Sequence, residues 1–201
     1  LMTGRYQQRF GVEENNVPSA MSSAGLTGED MGLPLEQKTI ADYLKNGGYR
    51  TAYLGKWHLG GADRFHPFKR GFDEFYGFRG GARSYFAYET PPKDSLRRME
   101  IGFRNFTEHQ GYLTDVLADE AVSFIDQNKD TPFFLFLSFN AVHTPMHYLN
   151  EDLPRKSRIQ KEHRQQLYAM TKAMDRACGE ILDKLDDLKL TGNTLIIFTN
   201  D

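Results

Sequence analysis

The chain has 201 residues, of which 39% are hydrophobic, enough for one domain or for a large part of a longer one. Its formal net charge of -2 excludes a strong positive field that would gather nucleic acid or an anionic membrane surface. The single cysteine, Cys178, excludes an internal disulfide and a zinc knuckle built from CxxC pairs. No apolar run reaches the ~18 residues that a membrane-spanning helix needs.

The first predicted unit is a helix followed by a strand. Pro34 stands near the expected start of the helix, and Ile40, Tyr43 and Leu44 share one apolar face. A pair of glycines predicts the end of this helix. The stretch TAYLGKW, residues 51–57, then predicts a short strand.

The same order of helix and strand is predicted twice more. Apolar residues at helical spacing predict a helix over residues 112–129, and the apolar run TPFFLFLSF, residues 131–139, predicts a strand buried on both faces. A stripe from Leu167 to Leu188 predicts a long helix, and TLIIFTND, residues 194–201, predicts another buried strand. Three such units predict an α/β fold with a central, mostly parallel sheet flanked by helices.

Residues 60–111 are rich in Gly, Phe, Tyr and Arg and show little periodicity, so we expect a loop-rich insertion within the domain. Four basic side chains lie near its beginning: Arg64, His66, Lys69 and Arg70. Each could contact an anionic substrate at the mouth of a site, although a surface charge on an ordered loop is the favoured interpretation.

Polar side chains follow the ends of all three predicted strands. Lys56 and His58 follow the first strand, His143 and His147 the second, and Asp201 the third. Because ligands of open α/β sheets bind beyond the carboxyl ends of the strands, we expect these side chains to converge. Each one alone is typical of a solvated lysine, a packing histidine or a helix cap. Together they suit hydrolysis of an oxyanion ester, which needs a cation, proton carriers and a carboxylate for a hard metal.

Four stretches resemble the sulfatase family, in chain order. GYRTAYLGKWHLG, residues 48–60, is similar to the second sulfatase signature, and LMTGRY, residues 1–6, to the tail of the first, C-x-P-S-R-x-x-L-x-T-G-R. RGFDEFYGF, residues 70–78, is often found between them, and FTND, residues 198–201, resembles the strand that ends in the metal-binding D-N-G. The resemblance implies an alkaline phosphatase-like fold and makes residues 1–201 a part of one catalytic domain.

The resemblance also implies a role for each strand-end residue. Lys56 would hold a sulfate oxygen, His58 would act as the sulfated intermediate collapses, and His143 would contact sulfate and protonate the leaving alcohol. Asp201 would be one ligand of a calcium ion. The nucleophile would be a formylglycine, made from a cysteine or serine seven residues before Leu1 by a formylglycine-generating enzyme. The remaining calcium ligands would also lie outside these 201 residues, so we expect the chain alone to be inactive.

The implied activity is hydrolysis of a sulfate ester, with a sulfated small molecule or glycan as substrate and a carbohydrate sulfate as the favoured class. Family members of this kind are usually exported to the periplasm, the lysosome or the cell exterior. One alternative is a phosphate or phosphonate ester hydrolase of the same fold, which would carry a threonine or an unmodified serine as nucleophile. The other is a non-catalytic descendant that binds a sulfated glycan and lacks both the nucleophile and the metal-binding aspartates.

Overall fold

The computed structural model describes residues 1–12, 30–154, 159 and 161–200. Its helices and strands, in chain order, are α1 (Ile40–Asn46), β1 (Arg50–Lys56), β2 (Glu74–Phe78), β3 (Met99–Ile101), β4 (Asn105–Thr107), α2 (Leu113–Asn128), β5 (Phe133–Ser138) and α3 (Glu162–Asp187). In the described part of the chain, no helix is both long and apolar enough to cross a membrane.

The strands form one sheet in the order β4-β3-β2-β1-β5. β1 lies in the centre and pairs in parallel with β2 on one side and with β5 on the other. β3 and β4 extend the sheet beyond β2 in antiparallel orientation. The predicted α/β fold, with a central parallel part flanked by helices, is confirmed. The range 60–111, where we expected loops, contributes β2, β3 and β4 to this sheet.

Helix α1 begins later than the sequence pattern predicts. Oγ1 of Thr39 accepts a hydrogen bond from the N–H of Asp42 at 3.1 Å, and the Asp42 carboxylate accepts one from the N–H of Thr39 at 2.8 Å. This reciprocal capping box sets the start at residue 40, so the expectation of a start near Pro34 was wrong. The apolar face shared by Ile40, Tyr43 and Leu44 is not the buried one, because Tyr43 is 68% exposed and Ala41 is the buried residue.

One face of the sheet is covered by α2, and α3 packs on α2. Leu113 and Leu117 of α2 are buried with Leu54 of β1, and Met170 and Ala173 of α3 join the same cluster. The helix predicted from the second apolar pattern and the long helix predicted after it are therefore confirmed.

The other face of the sheet carries an aromatic cluster centred on Tyr53 of β1. The Tyr53 ring meets those of Trp57 and Phe72 edge-on, with centroids 4.9 and 5.2 Å away. It stacks on Phe136 of β5 at 5.1 Å, and Ala41 of α1 completes the cluster. Both faces of β1 are thus buried, as its position in the centre of the sheet requires.

Two predicted strands depart from expectation. β5 forms, but each of its residues is half-buried rather than buried, because β5 lies at the edge of the described sheet. The strand expected over residues 194–201 was wrong for its described part: residues 194–200 form no strand, and Leu195 and Phe198 are 86% and 73% exposed. An extended apolar segment becomes a strand only when its N–H and C=O groups pair with a neighbour, and no described strand pairs with this one.

The end of β2 is fixed by a buried ion pair between Arg79 and Glu100. Nε and Nη2 of Arg79 donate to the Glu100 carboxylate at 2.8 and 2.6 Å, and Glu100 is 1% exposed. A third Arg79 nitrogen donates to Asp63 at 2.8 Å. Burial would raise the pKa of Glu100, but the adjacent His66 side chain and the hydrogen bonds from Arg79 and from the backbone N–H of Arg104 lower it to about 2. The carboxylate therefore stays ionised and holds the guanidinium in place.

We expect Glu100→Gln to lower the free energy of unfolding by about 3–5 kcal/mol, because it leaves the Arg79 guanidinium buried without its main counter-charge. Urea denaturation followed by the fluorescence of Trp57, the single tryptophan, measures the change. The control Glu74→Gln removes a more exposed carboxylate that pairs with Arg50, and it should cost less than about 1 kcal/mol. Equal losses for the two variants would show that burial of the pair is not what stabilises this region.

Candidate active site

The carboxyl ends of β2, β1 and β5 lie side by side at one edge of the sheet. Lys56 at the end of β1 is opposite Phe78 at the end of β2, and Gly55 is opposite Ser138 at the end of β5. The segments that follow these three strands therefore begin side by side, and the convergence of the polar side chains themselves stays a prediction. The segments that meet there are residues 57–61, 79–86 and 139–147.

Lys56 is held at this edge through its backbone. The hydroxyl of buried Tyr53 donates to the Lys56 carbonyl at 2.5 Å. Burial raises the pKa of Tyr53, which keeps the phenol protonated and able to donate. The next residue, Trp57, donates from its N–H to the carbonyl of Phe78 at 2.9 Å and is 2% exposed. The backbone around Lys56 is thus fixed, while the residue itself is half-buried.

His58 turns back toward the segment that follows β2. Its φ of 49° is left-handed, and its N–H donates to the Arg79 carbonyl at 3.2 Å. Gly81 lies directly against the imidazole, since a Cβ added there would be 2.6 Å from Nε2 of His58. Only glycine leaves room for the ring in this position. Gly81, in the segment after β2, therefore packs against one side of the His58 ring.

His143 lies on an exposed turn after β5. Its N–H donates to the carbonyl of Asn140 at 2.9 Å, which closes the turn. Its Nδ1 is 2.8 Å from the carbonyl oxygen of Thr144. Because a carbonyl oxygen can only accept, this contact assigns a proton to Nδ1 and leaves Nε2 as the nitrogen that exchanges protons.

His147, the other histidine predicted at this strand end, is half-buried against the segment after β2. Its Nδ1 is 3.3 Å from Oγ of Ser84, and its backbone carbonyl accepts from the hydroxyl of Tyr112 at 3.0 Å. The Phe86 ring lies 5.9 Å from the imidazole, centroid to centroid. These contacts tie the turn after β5 to the segment after β2.

The expected calcium ligand, Asp201, lies outside the described residues. Across the described ranges, no cluster of three or more His, Cys, Asp and Glu side chains is suited to a metal ion. A calcium ion takes about six to eight oxygen ligands, so the described residues do not supply a calcium shell.

Two of the four basic side chains considered as substrate contacts are buried. His66 is 0% exposed, and Arg70 is 2% exposed and donates to the Gln37 carbonyl at 2.6 Å. Neither can reach a substrate. Arg64 is exposed and pairs with Asp30 at 2.9 Å, so it fits the interpretation as a surface charge on an ordered loop.

Comparison with known proteins decides the family. The Sulfatase family model matches residues 1–201, the whole chain. The chain belongs to the sulfatase family. It is 31% identical to the uncharacterised sulfatase YdeN of Escherichia coli K12, 30% identical to human N-acetylgalactosamine-6-sulfatase and 32% identical to mouse arylsulfatase G. All three alignments cover 100% of this chain but only 37%, 39% and 40% of the respective relatives. The chain thus spans less than half the length of these sulfatases.

Solved sulfatase structures share the fold. Ps i-CgsB is 34% identical, with a TM-score of 0.81 over 94% of this chain and 43% of that protein. The same protein has been solved in complex with k-i-k-neocarrahexaose. The putative sulfatase yidJ of Bacteroides fragilis is 20% identical, with a TM-score of 0.68 over 94% of this chain and 47% of that one, and supports the fold alone. The expected sulfatase fold is confirmed.

Sequence reasoning missed the residues between 79 and 86 that hold the two candidate histidines. Gly81 contacts His58, and the hydroxyl of Tyr85 contacts the turn that carries His143. These residues fall in the range predicted to be a loop-rich insertion. The available signal was the stretch RGFDEFYGF, whose last residue is a strand end at the same edge of the sheet.

We expect Gly81→Ala to lower kcat/KM for a sulfate ester by at least about 10-fold, because the new methyl group must displace the His58 ring. The matched control Gly179→Ala adds a methyl group in α3 where no atom lies within 4 Å, and should change kcat/KM less than about twofold. Steady-state kinetics on the complete enzyme, with circular dichroism to verify folding, measure both. An unchanged rate for a folded Gly81→Ala variant would contradict this contact.

Proposed function

We propose that the protein containing this chain is a sulfuric ester hydrolase that removes sulfate from a sulfated carbohydrate. The observation that supports the proposal is that β1 and β5 are parallel neighbours that end side by side, with Lys56 and His58 at and after the end of β1 and His143 on the turn after β5. One cation and two imidazoles at that edge suit an oxyanion ester. Membership of the sulfatase family over the whole chain supports the same reaction.

Two similar proteins support a carbohydrate as the substrate class. One relative is named N-acetylgalactosamine-6-sulfatase. The similar protein Ps i-CgsB was solved in complex with an oligosaccharide, k-i-k-neocarrahexaose. Both names point to sugars rather than to small aryl sulfates. We therefore propose a sulfated glycan as the partner of this site.

Lys56 has the electrostatic role in the proposed reaction. Negative charge on the sulfate and on the leaving oxygen redistributes as the ester bond breaks, and a cation that is already in place stabilises it without reorganisation. The hydrogen bond from Tyr53 to the Lys56 carbonyl fixes the backbone from which the ammonium extends. The lysine therefore contacts a nonbridging sulfate oxygen in the proposal.

His58 and His143 are the proposed proton carriers, and they act at different times. His143 donates a proton from Nε2 to the leaving alcohol in the first half of the reaction. His58 accepts a proton in the second half, when sulfate is released and the enzyme is regenerated. Imidazole suits both roles because it gains and loses a proton near neutral pH.

Sulfatases generally depend on a formylglycine and a metal ion. We propose that the formylglycine lies seven residues before Leu1, formed from a cysteine or serine by a formylglycine-generating enzyme. It would supply an aldehyde hydrate as the nucleophile, and a calcium ion with Asp201 as one of its ligands would stabilise charge on the sulfate. We propose that the remaining calcium ligands lie outside these 201 residues, since a calcium ion takes about six to eight oxygen ligands. The 201-residue chain alone is inactive under this proposal.

The wider organisation is also a proposal. Residues 1–201 form part of one catalytic domain, and residues 60–111 are a segment inserted within it. We further propose that the protein is exported to the periplasm, the lysosome or the cell exterior, where polymeric sulfated carbohydrates are found.

Lys56→Ala in the complete enzyme should lower kcat/KM for a sulfate ester by about 10²–10³, as loss of a preorganised charge contact does. Lys129→Ala, just beyond α2 and before the start of β5, should change it less than about twofold. Steady-state kinetics on an aryl sulfate and on a sugar sulfate measure both. The same assays on the matching phosphate esters test the substrate class, since faster phosphate hydrolysis would overturn the proposal.

The two histidines should differ in a burst experiment, because they act in different halves of the reaction. His58→Ala should release about one equivalent of alcohol quickly and then stall. His143→Ala should slow that first release about 10²-fold or more, and less with a good leaving group. Rapid-mixing measurement of alcohol release separates the two. Identical, burst-free kinetics with an activated aryl ester would remove this assignment.

A further inference from the structure

Tyr85 connects the core to the turn that carries His143. Its side chain is 0% exposed, and its hydroxyl oxygen lies 2.6 Å from the carbonyl oxygen of Asn140 and 2.8 Å from that of His143. Both carbonyls can only accept, so the phenol donates its one proton to this pair. The Asn140 carbonyl also accepts from the N–H of His143 at 2.9 Å. The hydroxyl therefore contacts both ends of the four-residue turn.

Tyr85 is itself firmly held. Its carbonyl accepts from the N–H of Leu113 at the start of α2, at 2.8 Å. Its ring stacks on that of Tyr112, with centroids 5.4 Å apart and an angle of 18° between the planes. Burial raises the pKa of Tyr85, so the hydroxyl remains a donor at every pH at which the enzyme would act. A buried and anchored donor in the irregular segment after β2 thus meets the exposed turn that carries His143.

We infer that Tyr85 is a positioning residue for His143, fixing the backbone of its turn so that the imidazole meets the leaving alcohol. The inference rests on the proposed role of His143 as proton donor. Because Tyr85 is fully buried and its hydroxyl is used by the two carbonyls, it acts through His143 and not on the substrate. The contact joins residues 58 positions apart, so it also ties the segment after β2 to the turn after β5.

The chain offers a matched control in Tyr112. This second tyrosine is 3% exposed, and its hydroxyl donates to the carbonyl of His147 at 3.0 Å. Tyr112→Phe therefore removes the same group from the same core cluster, but from a carbonyl four residues beyond His143. A general loss of packing or stability would affect both variants, whereas a positioning role for Tyr85 affects only one.

The kinetic arm compares Tyr85→Phe and Tyr112→Phe on two substrates. Tyr85→Phe should lower kcat for a sugar sulfate by about 10–100-fold with KM within about twofold, because a misplaced proton donor slows chemistry but not binding. With 4-nitrophenyl sulfate, whose leaving group needs little protonation, the loss should be less than about threefold. Tyr112→Phe should change kcat less than about threefold for both. Adding Tyr85→Phe to His143→Ala should cause no further loss, since both changes act at one point.

The spectroscopic arm does not depend on turnover. In protein labelled with ¹⁵N-histidine, Tyr85→Phe should shift or broaden the ring signals of His143, assigned by their absence in His143→Ala. Tyr112→Phe should leave those signals in place. If the wild type does not hydrolyse a sulfate ester, the proposed function is rejected. The ring signals of His143 would still decide whether Tyr85 positions that residue. Unchanged His143 signals in Tyr85→Phe, or equal kcat losses for both tyrosine variants on both substrates, would overturn the inference.

Discussion

The buried pair between Arg79 and Glu100 is the interaction on which the candidate site depends. Either charge alone in the interior would cost several kcal/mol, so each is tolerated only because the other neutralises it. Arg79 is the first residue after β2, and its carbonyl accepts from the N–H of His58. From this point the chain passes Gly81, against the imidazole of His58, and reaches Tyr85, beneath the turn after β5. One neutralised charge pair thus fixes the start of the segment that supports both halves of the proposed chemistry.

The fold could be predicted from the sequence wherever one local pattern was sufficient. α2, β1, β5 and α3 were predicted because long apolar stripes and an unbroken apolar run are recognisable without knowledge of neighbours. The start of α1 was set instead by the hydrogen bonds of Thr39, which compete with the weaker signal from a proline. β2 has the sequence EFYGF, whose glycine and aromatics look like a loop until it pairs with β1 and β3. Residues 194–200 show the reverse, since an apolar pattern does not make a strand without a neighbour to pair with.

The site was predictable to a similar extent. Lys56 and His58 stand at and just after the end of β1 and His143 on the turn after β5, so their places could be read from the sequence, while their chemical roles stay a prediction. Gly81 has no functional group, and its importance is the space that it leaves beside His58. Tyr85 is an aromatic residue in an aromatic-rich segment, and its contact with a turn 58 residues away follows only from the folded sheet. Sequence patterns therefore do not reveal residues such as Gly81 and Tyr85, which contact the segments that carry the candidate histidines.

A second charge cluster lies near the buried pair of Arg79 and Glu100: Arg83 pairs with Glu108, and the buried His109 lies beside them. Acidification would weaken the pair and this cluster at different pH values. Glu100 titrates at 4.5 when unfolded and about 2 when folded, so its contribution to stability is complete above pH 4.5 and is lost as the pH falls toward 2. For His109, burial and then the nearby charge of Arg83 lower the pKa from 6.5 to about 4, against a smaller opposite effect of Glu108. The contribution of His109 is therefore complete above pH 6.5 and is lost as the pH falls toward 4. The Arg83 carbonyl accepts from Nδ2 of Asn140 at 3.2 Å, so this cluster lies under the turn after β5. Acid therefore removes the contribution of His109 to the free energy of unfolding before it removes that of Glu100.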